Sequence, residues 1–311
     1  MRKKAKNDNN GLVLERPTSK TKSTIDPLVG TKWENQYNSL LTIVSVSSTG
    51  LIIGEYSSTT GSSGTYPVIG FVSPVSATEK NRTIGITINW KSLDEGTADP
   101  SWDWVSAMNG LLYEDGSKIQ FLHGMTSSSP FSAVQVYEPG VYTESLEFVP
   151  YKGNNSKEEL SKEDNDINGL NHRVPSFVSE DLPGYQNNNS LSIFKSISNI
   201  QINSNNNNEL TASVEVQLSV NGSIRTIAMP VDGFGQPVVK ETGLRAITFI
   251  GQYTNENFPE NYQVVNVSFT GFIDTNNDDL LTLETFKASA RTNDNKYTSV
   301  SISQDTFSKK Q

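Results

Sequence analysis

The 311-residue chain contains no cysteine and only two histidines, His123 and His172. The missing thiols exclude disulfides, thiolate nucleophiles and thiolate metal sites. Two histidines leave little for imidazole catalysis or a zinc centre. Positive charge is also in deficit: 25 Lys and Arg against 34 Asp and Glu give −9 and a pI near 4.9. That balance argues against nucleic acid or an anionic membrane as partner. No apolar run reaches the length of a transmembrane helix. The basic start, Met1 to Asn10, precedes neither an apolar core nor a small-residue cleavage site, so it does not read as a signal peptide. The expectation is a soluble protein whose compartment is open.

Helical periodicity is scarce as well, and strand patterning takes its place. Residues 1–26 are rich in Lys, Asn and Thr and read as a disordered basic arm. Over 27–142, candidate strands lie between turn residues: Trp33–Val46, Leu51–Ser58, Thr65–Val72, Thr83–Trp90, Ser101–Tyr113, Lys118–Thr126 and Phe131–Val141. Tight turns at regular spacing indicate an antiparallel meander, for which barrel closure would remove the edges. Residues 143–184 are charged and aromatic-poor, and read as a polar linker. The strand pattern returns over 185–311.

The two halves repeat. Pro67-Val-Ile-Gly-Phe-Val-Ser-Pro-Val75 matches Pro230-Val-Asp-Gly-Phe-Gly-Gln-Pro-Val238, and the same register sets Arg82 on Arg245 and Trp90 on Tyr253. Two copies of one β-domain is the economical reading. Within the first copy the stretch Gly30 to Gly70 carries an unusual inward face. A period of two aligns Trp33, Asn35, Tyr37 and Ser39, and then Gly54, Tyr56 and Ser58. Buried polar groups cost about 1–3 kcal/mol each if unpaired. These must therefore satisfy one another and water, or meet a ligand.

These residues resemble the avidin/streptavidin family of biotin-binding proteins. The resemblance rests on Gly30-Thr-x-Trp33-x-Asn35 with Ser39 beyond it, on Gly54-Glu-Tyr56-Ser-Ser58 followed by Thr59-Thr60-Gly61, and on Trp90. It implies an all-β chain of two tandem eight-stranded antiparallel up-and-down barrels. It further implies a biotin site in which Asn35, Ser39 and Tyr56 hold the ureido oxygen. Ser58, Thr60 and Gly61 would serve the remaining polar atoms, with Trp90, Trp104 and Phe121 as walls. His123 falls on the wall too, Phe131 matches the Trp lent to a neighbouring subunit, and the carboxylate for a ureido N–H is expected near Glu138 or Pro139. No cofactor, metal or catalytic residue is implied. The partner is biotin or a biotin-like small molecule, and the assembly is a homo-oligomer or an intramolecular pseudo-dimer.

The second copy departs from that pattern. Its closing segment keeps Asp305, but the aligned pocket positions read Phe194 for Asn35, Val214 for Tyr56 and Val216 for Ser58, leaving Ser198. It reads as a degenerate copy. Two rival readings stay open: a structural protein on the same scaffold, and an enzyme using Glu138 or Asp305. The latter lacks a carboxylate pair. Asp164-x-Asp166-x-Asn168-Gly169 opens like a calcium loop, but Pro175 stands where the closing Glu belongs.

Overall fold

A computed structural model describes residues 12–13, 25–59, 62–75, 81–94, 98–153, 184–188, 197–204, 209–220, 223–254, 262–291 and 299–310. The segment Leu12–Val13 (β1) pairs in parallel with Ile227 and Ala228. The first barrel follows as β2 (Lys32–Asn35), β3 (Leu40–Val46), β4 (Leu51–Ser58), β5 (Gly64–Val72), β6 (Asn81–Asn89), β7 (Trp104–Tyr113), β8 (Ile119–Ser127) and β9 (Gly140–Pro150). Each strand pairs antiparallel with the next, and β2 pairs with β9 to close the ring. The second barrel repeats the plan with β10 (Gly184–Asn187), β11 (Ile197–Ser204), β12 (Glu209–Val220), β13 (Ser223–Gly235), β14 (Leu244–Thr254), β15 (Tyr262–Asp274), β16 (Leu280–Arg291) and β17 (Ser299–Lys309), closed by β10 on β17. The chain is two closed, eight-stranded antiparallel barrels.

Three strand assignments in the first half differ from the sequence reading, one of them at Ser101–Asp103, which joins Pro100 in a 3-10 turn ahead of β7. The span Trp33–Val46 is split by a turn in which Asn38 adopts φ 61°. Tyr37 therefore leaves the inward face and is exposed. The closing strand of the first barrel is β9 at Gly140–Pro150, which starts at the end of the expected strand and runs on into the stretch read as linker. Phe131–Val136 forms instead a bridged loop around a short 3-10 turn. The reason is amphipathic alternation: in β9 only Leu146 and Phe148 are buried while their neighbours face water, so charged residues mask the strand. Apart from Leu12, Val13, Ile25 and Asp26, the arm lies outside the described residues, as do the calcium-like segment and Phe194.

Each barrel has its own interior. Trp33, Leu41, Ile43, Ile52, Tyr56 and Phe148 are among the side chains filling the first, and Tyr185, Phe249, Phe269, Leu283 and Phe307 among those filling the second. A third cluster lies between the barrels, where Ile69, Phe71 and Val105 meet Phe234, Ala246 and Ile250. This contact explains why β5 and β6 are buried on both faces, as their nearly continuous apolar runs Val68–Val72 and Ile84–Ile88 require.

The two barrels present equivalent strands to each other, β5–β8 against β13–β16. Polar groups cross the seam in both directions. Asn109 Nδ2 donates to the carbonyls of Asn266 and Phe286, each at 2.9 Å, and Asn266 Nδ2 donates to the Phe71 carbonyl at 3.0 Å. Thr126 and Thr270 hydroxyls meet at 2.6 Å, and Gln236 Nε2 donates to the Trp104 carbonyl at 2.9 Å. Glycine permits the approach: a Cβ on Gly124 would stand 2.5 Å from Phe286 Cζ. Gly124→Val should therefore weaken docking by about 1–3 kcal/mol. Calorimetric melting is expected to resolve two transitions in this variant where the wild type shows the barrels more tightly coupled.

Candidate functional site

The polar floor of the first barrel is built at the β2–β3 turn and the end of β4. Asn35, Ser39, Tyr56 and Ser58 are all buried there. The Asn35 amide is oriented by its own turn: Oδ1 accepts the backbone N–H groups of Tyr37 and Ser39, both at 3.0 Å. Its Nδ2 is thereby aimed at Tyr56 Oη, 3.2 Å away. Ser39 is buried beside the same phenol and lowers its pKa. The amide contributes two hydrogens and the two hydroxyls one each. The Asn35–Tyr56 bond uses one of those four, so polar hydrogens beyond it remain at the floor. Such a group can hold a carbonyl oxygen.

Aromatic rings form the wall. Trp90 meets Tyr56 edge-on at 5.8 Å and Tyr66 at 4.9 Å, and Tyr56 in turn meets Phe148 at 6.5 Å. Trp104 lies against Phe131 at 5.9 Å and donates its indole N–H to the Ser129 carbonyl at 2.9 Å. Phe131, expected to match a residue lent between subunits, thus closes on its own barrel. Phe121 packs on Phe148 at 5.7 Å, which stands between it and Tyr56. Nearer the Trp90 ring, Ser62 Oγ joins Tyr66 Oη at 2.7 Å and Ser101 Oγ at 2.6 Å. Thr60 and Gly61 lie outside the described residues.

One wall residue stands closer to Trp90 than the sequence alignment of Phe121 implies. His123 is buried on the same face of β8, and its Nε2 lies 2.9 Å from Ser106 Oγ. That oxygen accepts the Trp90 indole N–H at 2.8 Å. The other ring nitrogen faces Glu144 Oε1 at 3.2 Å, and Glu144 Oε2 accepts the Tyr37 phenol at 3.1 Å. The His123 contact holds the Glu144 carboxyl below its ordinary range, against the opposing effect of partial burial. Ser106 and Glu144 were not foreseen. Their signal was available only as alternation on strands whose register the sequence left open.

The acceptor expected near Glu138 or Pro139 is not there. Glu138 is exposed in the loop before β9, where its carbonyl accepts the Tyr142 hydroxyl. Comparing the two barrels locates the true position. Phe121 pairs with Leu146 on β9, as Leu283 pairs with Asp305 on β17. Leu146 therefore occupies the place of Asp305. The first strands correspond in the same way: Asn35 faces Phe148 and Asn187 faces Phe307. Asn187, not Phe194, is thus the counterpart of Asn35. Backbone pairing sets the register, and an ungapped count through a loop of different length misses it. Val214 and Val216 do stand where Tyr56 and Ser58 stand, because Gly233 opposes Leu210 as Gly70 opposes Ile52. The second barrel keeps one polar pair, Asn187 Nδ2 to Asp305 Oδ1 at 3.2 Å.

Burial raises the Tyr56 phenol above its ordinary value, while its bonds to Ser39 and Asn35 pull the other way. The proton is therefore held in the folded state beyond the unfolded pKa of about 10. The associated stability is complete below that pH and is lost as pH climbs through the folded value. Scanning calorimetry from neutral to strongly alkaline pH should show a steeper loss for wild type than for Tyr56→Phe.

No curated protein matches the chain. Among solved structures, Xenavidin is 22% identical over 41% of this chain and 100% of its own, with a TM-score of 0.31. The rhizavidin–biotin complex is 20% identical over 40% and 92%, at 0.30, and core-bradavidin 22% identical over 40% and 100%, at 0.30. A family model described as the avidin family matches residues 24–117, which span β2 through β7 and include Asn35, Ser39, Tyr56, Ser58 and Trp90. The likeness to that family model thus covers six of the first barrel's eight strands.

Proposed function

We propose that this protein is a non-catalytic small-molecule receptor whose first barrel binds biotin or a biotin-like ring. The carrying observation is the buried Asn35–Ser39–Tyr56 trio, whose polar hydrogens outnumber the one bond made within it and lie beside the Trp90 ring. A carbonyl oxygen would accept them. Ser58 offers an acceptor at the side, and Trp90 supplies an apolar face. The family match over residues 24–117 favours biotin as the carbonyl-bearing ligand. Loss of Tyr and Ser at Val214 and Val216 leaves the second barrel without such a floor, so we assign it the part of an internal partner. The shared use of equivalent strands at the seam supports that role.

A second reading has its own observation. The direct Asn35–Tyr56 bond suits a scaffold whose floor is satisfied internally. It leaves the trio's remaining polar hydrogens without partners, at about 1–3 kcal/mol apiece when buried, and is the weaker account.

Titration calorimetry of the full chain with biotin should give saturable binding at one site per chain. Asn35→Ala and Tyr56→Phe should each weaken it by at least about 1 kcal/mol, the worth of a buried hydrogen bond. A folded chain that gives no heat and no change in tryptophan fluorescence on adding biotin would refute the reading.

A further inference from the structure

Resting on the first-barrel site just described, we propose that its ligand carries a ring carbonyl flanked by an apolar edge on the β9 side. The pocket is then matched to a lactone, ketone or singly N–H-bearing lactam better than to a ring presenting N–H groups on both flanks.

The β7–β9 wall carries the proposal. Leu146 is buried within the first barrel's core, beside Phe121 and one strand step from Phe148, and all three are apolar. The second barrel shows what a polar group at this position reaches. There Asp305 touches Asn187, the counterpart of Asn35. A carboxylate at 146 would lie within reach of whatever Asn35 holds; leucine offers that neighbour nothing to bond.

The described acceptors Ser106 and Glu144 on this wall are already engaged with neighbours of their own. The Ser106 oxygen accepts the Trp90 indole N–H, and its remaining contact is to His123 Nε2. Glu144 is engaged by both His123 and Tyr37. This chain of bonds runs from Trp90 outward to the exposed Tyr37. It leaves the floor as a cluster of donors, one hydroxyl on β4 (Ser58) as side acceptor, and a hydrocarbon surface opposite. A ligand N–H pointed at that surface would be desolvated without a partner, which is costly. A CH2 or ring oxygen there loses nothing comparable.

Calorimetry on the full chain tests this with two probes. One is biotin; the other is its carba-analogue, in which both ureido N–H groups are replaced by CH2 and the carbonyl is kept. The wild type should bind the analogue at least as tightly as biotin. Leu146→Asp should shift the ratio at least tenfold toward biotin. Leu146→Asn, which brings an acceptor without a buried charge, should move it in the same direction and serves if the Asp variant fails to fold, as judged by its melting. Two results would overturn the proposal and leave the site reading standing: wild type binding biotin tenfold more tightly than the analogue, or a ratio unchanged in a folded variant. Failure of both probes to bind wild type would remove the site reading and this inference with it.

Discussion

Pairing of the first strand with the last closes each ring, and the placement of the interior side chains follows from it. In the first barrel β2 meets β9 through Trp33 with Pro150 and Asn35 with Phe148. A closed ring leaves no unpaired edge. Because side chains alternate with period two, a slip of one residue would turn every interior group outward. The position of Asn35 at the end of β2, just before a turn whose backbone it binds, therefore fixes both its depth in the barrel and the direction of its amide.

The two barrels apply one backbone plan with different interior chemistry. Donors gather in the first, where Asn35, Ser39 and Tyr56 meet and leucine stands opposite. In the second, valines replace the phenol and a hydroxyl, while Asn187 and Asp305 form a bonded pair. Since the second barrel closes without Tyr56 or Ser58 counterparts, the fold does not require those donors. Their burial in the first barrel is in keeping with the proposed ligand site rather than with a demand of the fold.

Docking of the barrels adds a third core. The outer faces of β5–β7 would otherwise expose Ile69, Phe71 and Val105 as an apolar patch. Burying them beneath Phe234, Ala246 and Ile250 removes it. The carbonyls of Phe71, Asn266 and Phe286 accept side-chain amides across the seam, so backbone groups carry part of the recognition. Glycine at position 124 sets the separation.

Much of this was legible in the residues themselves. Turn residues at regular intervals, absent helical periodicity and the internal repeat specified two similar β-domains. The spacing of Trp33, Asn35, Tyr56 and Ser58 marked the polar inward face, because alternation on a strand is a local property. Tyr37 and Phe194 were misplaced by extending local counting through turns. The closing strand was missed because the charged, outward half of β9 resembles a linker. Leu146 opposite the donors, the Trp90–Ser106–His123–Glu144 chain and the seam between barrels depend on which strands become neighbours. That is decided only by tertiary pairing, where register across the ring, rather than distance along the chain, determines which side chains share the interior.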